Sequence, residues 1–442
     1  MSDIPRRTAS RTAKLAGLPL GVAGRAAAGF GRRLTGADRD EIAAQLAAKS
    51  AEQLFAVLGE LKGGAMKFGQ ALSVFEAAVP DEYAEPYREA LTKLQAAAPP
   101  MPMADVDYML TQQFGRSWKR RFVEFDETPA ASASIGQVHR AVWHTGREVA
   151  VKVQYPGAEA ALRSDLRQLG RMSRILQPLV PGTEVRPLVQ ELRDRMEEEL
   201  DYRDEATYQR EFASFYENDP EIRIPRVVAS APKAVVTEWV DGRPLASIIR
   251  EGTRAERDHA GTLLSRFHYS APDRAHLLHA DPHPGNFQIT DDGRLLVLDF
   301  GAVARMPEGM PSELVMMTKY SLERRAGDLM NLMRSAGFVR DGMRVTPERV
   351  MDYLAPFTEP LETEEFHFDR PWLQAQAERV GDLRHPDAAI GRSLNLPPRF
   401  LLVHRVTMGT VGILCQLDTH VRLREIVAQW QPEMFEPDAP TG

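Results

Sequence analysis

The sequence predicts an α+β protein in which a small strand-rich lobe precedes a larger helical lobe, with a helical extension in front. Three features predict it. Apolar residues recur at helical spacing over residues 38–97, with no proline before Pro80. From about residue 120 the pattern changes to β-branched residues around a turn, as in "SIGQVHRAVWHTGREVAVKVQYPG", residues 134–157. After "HADPHPGNFQITDDGRLLVLDFG", residues 279–301, helical spacing returns over 308–340 and 396–430. Two such lobes leave a cleft between them, a usual place for a ligand.

The 442 residues are enough for two or three domains, and 43% hydrophobic with 26% charged residues is ordinary for a soluble globular chain. A net charge of −7 gives no case for a nucleic-acid partner. Cys415 is the single cysteine, so there is no internal disulfide and no thiolate metal cluster, which suits a reducing cytoplasm. No apolar run approaches the roughly 18 to 20 residues that span a bilayer, so any membrane contact is expected to be peripheral.

Residues 1–37 differ from the rest. Arg6, Arg7, Arg11, Lys14, Arg25, Arg32 and Arg33 face a single acid, Asp3. The segment reads either as a disordered basic tail or as a surface segment that meets anionic lipid. A secretory signal, which the Arg6-Arg7 pair and the apolar stretch after it would allow, is the less favoured reading. Residues 38–110 form the helical extension, and Pro99, Pro100 and Pro102 mark residues 96–105 as a linker. Residues 111–240 form the strand-rich lobe. Its strands flank a His144-Thr145-Gly146 turn, helix follows over 158–214, and "AVVTEWVDGRPL", residues 234–245, is a strand running into a turn at Asp241-Gly242. Residues 241–442 form the helical lobe.

The chemistry concentrates at a few points. Asp291-Asp292-Gly293 reads as a hairpin turn and Leu295 to Leu298 as a buried strand, which would return Asn286 and Asp299 to one end of the hairpin. Oxygen ligands converging in this way suit a hard cation such as Mg²⁺. Asp281 fits a base or a residue that orients a hydroxyl. His276, His279, Asp281 and His283 also allow a metal-cluster reading, but no distant His or Cys set has zinc-ligand spacing. Lys152 stands in an apolar strand behind the small-residue run "PAASASIGQV", residues 129–138. It can place a positive charge beneath phosphates, or it can be an edge-strand lysine facing solvent. The acidic stretch "EEELDYRDEA", residues 197–206, offers it carboxylates, or is simply a solvated helix face. Asp201 and Glu205 are read as i,i+4 neighbours, with Glu199 about 200° around the helix from Asp201.

Taken in order, a small-residue loop, a strand lysine, a helix glutamate, H-x-D-x₄-N and D-F-G resemble the protein-kinase-like fold. "HADPHPGN" departs from the usual H-R-D form. With "KFGQ" at 67–70, "SIGQVHRA" at 134–141 and "ELDY" at 199–202, the chain resembles the UbiB/AarF family of atypical kinase-like proteins over roughly residues 15–430. The resemblance implies a two-lobed kinase-like fold that uses ATP and Mg²⁺. Lys152 would pair with Glu205, Asp281 would take the catalytic-loop role, and Asn286 and Asp299 would hold the metal. Nucleotide would meet Ala131, Ser132, Ala133, Ser134, Gly136, Lys152, Glu238 and Val240. Ser132 departs from the family's run of three alanines. Lys67 and Gln70 of the extension would regulate the cleft, Lys67 packing against Glu199 and Asp201. The implied role is support of ubiquinone or other isoprenoid-lipid biosynthesis, with lipid or quinone-pathway proteins as partners. Two rivals are a small-molecule phosphotransferase, which has no use for a KFGQ plug, and a nucleotide-gated lipid-binding or scaffold protein with little turnover.

Overall fold

The computed structural model describes residues 100–133, 135–160, 163, 200–339, 345–381, 387, 390–391 and 394–437. The helical reading of 38–97, the basic segment, and the candidates Lys67, Gln70, Ser134 and Glu199 lie outside them.

Helix α1, Met103–Phe114, starts behind Pro102 and ends at Gly115, whose φ of 84° suits glycine. Val106, Met109 and Leu110 recur at helical spacing and are buried with Trp118, Phe122 and Trp143. The expected linker is therefore shorter, because Met103, Ala104 and Asp105 are helical. The expected boundary at 110/111 falls inside α1, which packs with the sheet that follows.

That sheet contains β1, Phe122–Ala133, β2, Gly136–Trp143, and β3, Glu148–Gln154. The run Pro129–Ala133, expected as loop, is the end of β1 and pairs with the start of β2, from Pro129↔His139 to Ala133↔Gly136. Cross-strand pairing outweighs the low strand preference of Ala and Ser here. Helix α2, Tyr202–Phe215, follows. It begins only after Asp201, whose extended backbone and side-chain bond to Arg203 N make it the N-cap. Asp201 and Glu205 therefore do not form the expected i,i+4 pair within one helix.

Next come β4, Ile222–Arg223, β5, Val227–Ala231, β6, Ala234–Glu238, and β7, Arg243–Pro244. The five-stranded sheet has the order β1-β2-β3-β6-β5. Helix α3, Leu245–Glu251, precedes α4, Arg254–Ala275, which a Thr253/Glu256 capping box opens. Strands β8, Leu277–His279, β9, Phe287–Ile289, β10, Leu295–Val297, and β11, Val303–Arg305, carry the motif region. They form a β4-β10-β9-β7 sheet and a β11-β8 ribbon.

The remainder is mainly helical: α5, Ser312–Leu322, α6, Ala326–Ser335, and α7, Pro347–Glu362, then β12, Phe366–Phe368, and α8, Arg370–Gly381. Helix α9, Pro398–Leu417, β13, Thr419–Val421, and α10, Leu423–Trp430, complete it. Phe267, Leu263, Phe287, Ile413 and Leu417 sit in the core of this lobe. The 20-residue α9 helix contains an 18-residue window of mean hydropathy 1.4, which by length and composition alone reaches spanning size. Over half of that window, 56%, is buried inside the protein, which is the packing of a core helix.

Candidate active site

The site begins with Lys152. It stands on β3, in the middle of the five-stranded sheet, paired with Val138 on one side and Val235 on the other. This excludes the edge-strand reading. Val149, Val151 and Val153 point into the core, so Lys152 emerges on the opposite face. There its Nζ lies 2.8 and 3.0 Å from the two carboxylate oxygens of Glu205 and 3.5 Å from Asp299 Oδ2. Burial alone would lower the Lys152 pKa. Asp299, Glu205 and Tyr202 more than reverse this and hold it well above the usual lysine range.

The N-cap at Asp201 sets where α2 begins, and Glu205 falls on its first turn facing the sheet. Farther along α2, Phe212 meets the Phe300 ring at 5.2 Å, and Glu211 bonds Arg305 of β11 at 3.0 and 3.1 Å. The helix that supplies Glu205 is thus docked on the segment that supplies Asp299.

The β9–β10 hairpin forms as expected, with Gly293 at φ 85° in its turn. Phe287 pairs with Val297, so Asn286 and Asp299 flank the same end. The backbone closes this end through Leu298 N–H to Asn286 O at 2.8 Å. Asn286 Nδ2 donates to Asp281 O at 3.0 Å and to Asp281 Oδ2 at 3.1 Å. Asp299 has a left-handed backbone, φ 58°, and its Oδ1 accepts from Gly301 N–H at 3.1 Å.

The histidines divide into separate tasks. His279 is buried among Phe267, Phe287 and Phe300, and its Nε2 bonds Asp299 O at 2.8 Å. Burial lowers its pKa, which keeps the ring neutral as a donor to that carbonyl. His283 Nδ1 accepts from Gly285 N–H, and His276 is the left-handed cap of α4. No group of three or more His, Cys, Asp or Glu among the described residues forms a metal cluster.

The other predicted residues are placed as follows. Ala131 and Ser132 are exposed and Ala133 is half-buried at the end of β1. Gly136 is buried, and a Cβ there would lie 2.3 Å from Val153 O. The Glu238 carboxylate is taken by Arg223 at 2.5 Å and by Arg226 N–H at 3.4 Å, so its side chain is committed within the protein. Val240 lies in the segment after β6. Asp201 binds the Arg203 guanidinium, which with its backbone bond holds the Asp201 carboxyl below the usual range.

The ABC1 atypical kinase-like domain matches residues 93–333. The chain belongs to this family. The atypical kinase COQ8 of Schizosaccharomyces pombe mitochondria is 31% identical over 275 residues, covering 61% of this chain and 44% of that protein. The chloroplast protein ACTIVITY OF BC1 COMPLEX KINASE 1 of Arabidopsis thaliana is 31% identical over 398 residues, covering 85% and 54%. The chain spans about half the length of these relatives. Among solved structures, Rv3197 of Mycobacterium tuberculosis in complex with erythromycin is 49% identical. It matches with a TM-score of 0.70, covering 90% of this chain and 100% of that one. This ABC1 chain thus has the protein-kinase-like α+β fold that its motifs predict.

Three contacts escape the motif reading. Tyr202 lies beneath Lys152, Arg223 holds Glu238, and Arg405 of α9 donates to Ala280 O at 3.0 Å, next to Asp281. Tyr202 lies inside the quoted "ELDY" and was within reach of sequence reasoning. Arg405 is more than a hundred residues from the loop it holds, and no local pattern announces it.

Proposed function

We propose that the protein is an ATP-binding, Mg²⁺-dependent atypical kinase or ATPase that supports quinone or other isoprenoid-lipid metabolism. The observation that carries this reading is the convergence on Lys152 of Glu205 and Asp299 from two other elements, beside the hydrogen-bonded Asp281 and Asn286. Family membership supports kinase-like chemistry. In this reading Lys152 meets nucleotide phosphates and Glu205 holds it in place. Ala131, Ser132, Ala133, Ser134 and Gly136 meet the phosphates, and Glu238 and Val240 line the base end. Asp281 orients the attacking hydroxyl or water. Lys67, Gln70, Glu199 and Asp201 regulate access. The chain divides into a basic segment, a helical extension, a strand-rich lobe that takes in α1, and a helical lobe from about residue 241.

The residues present fit a magnesium ion. Asn286 uses its Nδ2 on Asp281, which leaves Oδ1 as the amide's ligand atom, and Asp299 adds carboxylate oxygens. An oxygen-only donor set suits a hard cation, and the ion supplies neutralisation of phosphate charge. Partners in keeping with this reading are an isoprenoid lipid or quinone-pathway protein and an anionic membrane surface.

The test is ATP turnover by the purified protein as Mg²⁺ is titrated, with and without lipid, for the wild type and Asp299→Asn. Metal-dependent turnover that the substitution abolishes is expected. Equal nucleotide affinity in the variant would remove Asp299 from the site. The erythromycin complex of the mycobacterial relative favours a second reading, in which this chain also takes a bulky macrolide ring. Erythromycin should then raise the melting temperature, and no shift at saturating macrolide sinks that reading.

A further inference from the structure

Lys152 has a third neighbour that the roles above do not use. Its Nζ lies 5.0 Å from the centroid of the Tyr202 ring. Tyr202 is the first residue of α2, is 2% exposed, and precedes Glu205 by three positions, on the same helix face. Its N–H bonds Pro232 O at 2.9 Å, which fixes it against the β5–β6 turn. Its hydroxyl reaches the start of β2, where a Cβ on Gly136 would come within 3.0 Å of it. Tyr202 thus touches two parts of the site, the start of β2 through its hydroxyl and the Lys152 ammonium through its ring.

Glu205 and Asp299 attract the ammonium from different elements, one on α2 and one after β10. Two carboxylates alone let it settle toward either. An aromatic face adds attraction in one direction, and it does so without a full negative charge to compete with a phosphate. This attraction strengthens when the pair is desolvated, as it is here. We infer that Tyr202 is a positioning residue whose π face sets where the Lys152 ammonium stands and so how well it meets a nucleotide phosphate. This rests on the reading of Lys152 as the phosphate cation.

The test uses the full chain with Tyr202→Phe and then phenylalanines carrying one, two or three ring fluorines at position 202. These side chains are nearly isosteric, so the core stays filled, while each fluorine withdraws charge from the ring face. KM for ATP, kcat and melting temperature are measured for each. Tyr202→Phe keeps the face and should lose no more than about twofold. KM should then climb stepwise to about tenfold at three fluorines, with little change in melting temperature. A flat series overturns the inference, because the ring then only fills space. A Tyr202→Phe protein as impaired as the trifluoro form also overturns it, because the hydroxyl beside Gly136 then carries the effect. Lys152→Ala in the same assay separates the two readings. If it leaves turnover intact, the assignment of Lys152 has failed. If it abolishes turnover while the series stays flat, only the role of Tyr202 has failed.

Discussion

Removing either member of the Lys152–Glu205 pair should destabilise the fold, and the two losses should overlap. The side chains are 15% and 7% exposed and meet through two short hydrogen bonds. At an effective dielectric of about 20, unit charges about 3 Å apart attract by roughly 5 kcal/mol, which desolvation partly offsets. Breaking one side of such a pair costs about 3–5 kcal/mol, because the other charge stays buried. The two substitutions are not equivalent. Lys152→Met leaves the carboxylates of Glu205 and Asp299 without their shared cation. Glu205→Met leaves Lys152 with Asp299 at 3.5 Å. We expect about 4 kcal/mol for Lys152→Met and about 3 kcal/mol for Glu205→Met. The double variant leaves only the part-exposed Asp299 without this cation, so it should lose about 3 rather than 7 kcal/mol. Urea unfolding checks this through midpoints at constant slope, with Trp118 and Trp143 reporting from the core beside the sheet. Losses that add to within about 0.5 kcal/mol would refute the pairing and make Glu205 a bystander.

Other outcomes follow from the same geometry. Burial lowers the His268 pKa to about 4, against 6.5 in the unfolded chain, so the unfolded state takes up the proton first as pH falls. Stability is therefore lost from pH 6.5 down toward 4, by about 2 kcal/mol at pH 5 from this group. His268→Gln should flatten that part of the urea-midpoint profile, and an unchanged slope counts against it. Gly136→Ala places a Cβ 2.3 Å from Val153 O, so it should cost about 1–3 kcal/mol and weaken ATP binding; a wild-type melting curve would show that β2 and β3 adjust freely. The cations of residues 1–35 should add roughly 1 kcal/mol each at an anionic surface. Anionic liposomes should then raise ATPase activity in a salt-sensitive way, and a chain lacking residues 1–35 that responds as fully leaves that segment without a lipid role.

Local chemistry made much of the site legible in advance. The hairpin from Asn286 to Asp299 followed from a Gly-containing turn and a short apolar strand, and β2 and β3 from their branched residues. The Lys152–Glu205 pair came from the family resemblance, because nothing local in an acidic stretch selects Glu205 over its neighbours. Two misreadings have physical causes. The acidic spacing suggests a helix running through Asp201, yet Asp is among the best N-caps, and its side chain takes the backbone N–H of Arg203. The Ala/Ser run before Gly136 looked like loop because small residues favour strands weakly, and the register that makes it strand comes from β2. Helix α4 carries Pro272 and a polar first half, so its apolar face was hard to see in the sequence.

The left-handed backbone of Asp299 has a bearing on how this site should be dissected. Aspartate, asparagine and glycine enter that conformation at little cost, whereas alanine resists it by about 1–2 kcal/mol. An alanine scan would therefore report two losses at position 299 as one, adding a reluctant main chain to a missing carboxylate. The series Asp, Asn, Gly keeps the main chain content while it removes first the charge and then the side chain. Only along that series does a change in nucleotide binding measure the oxygen atoms themselves.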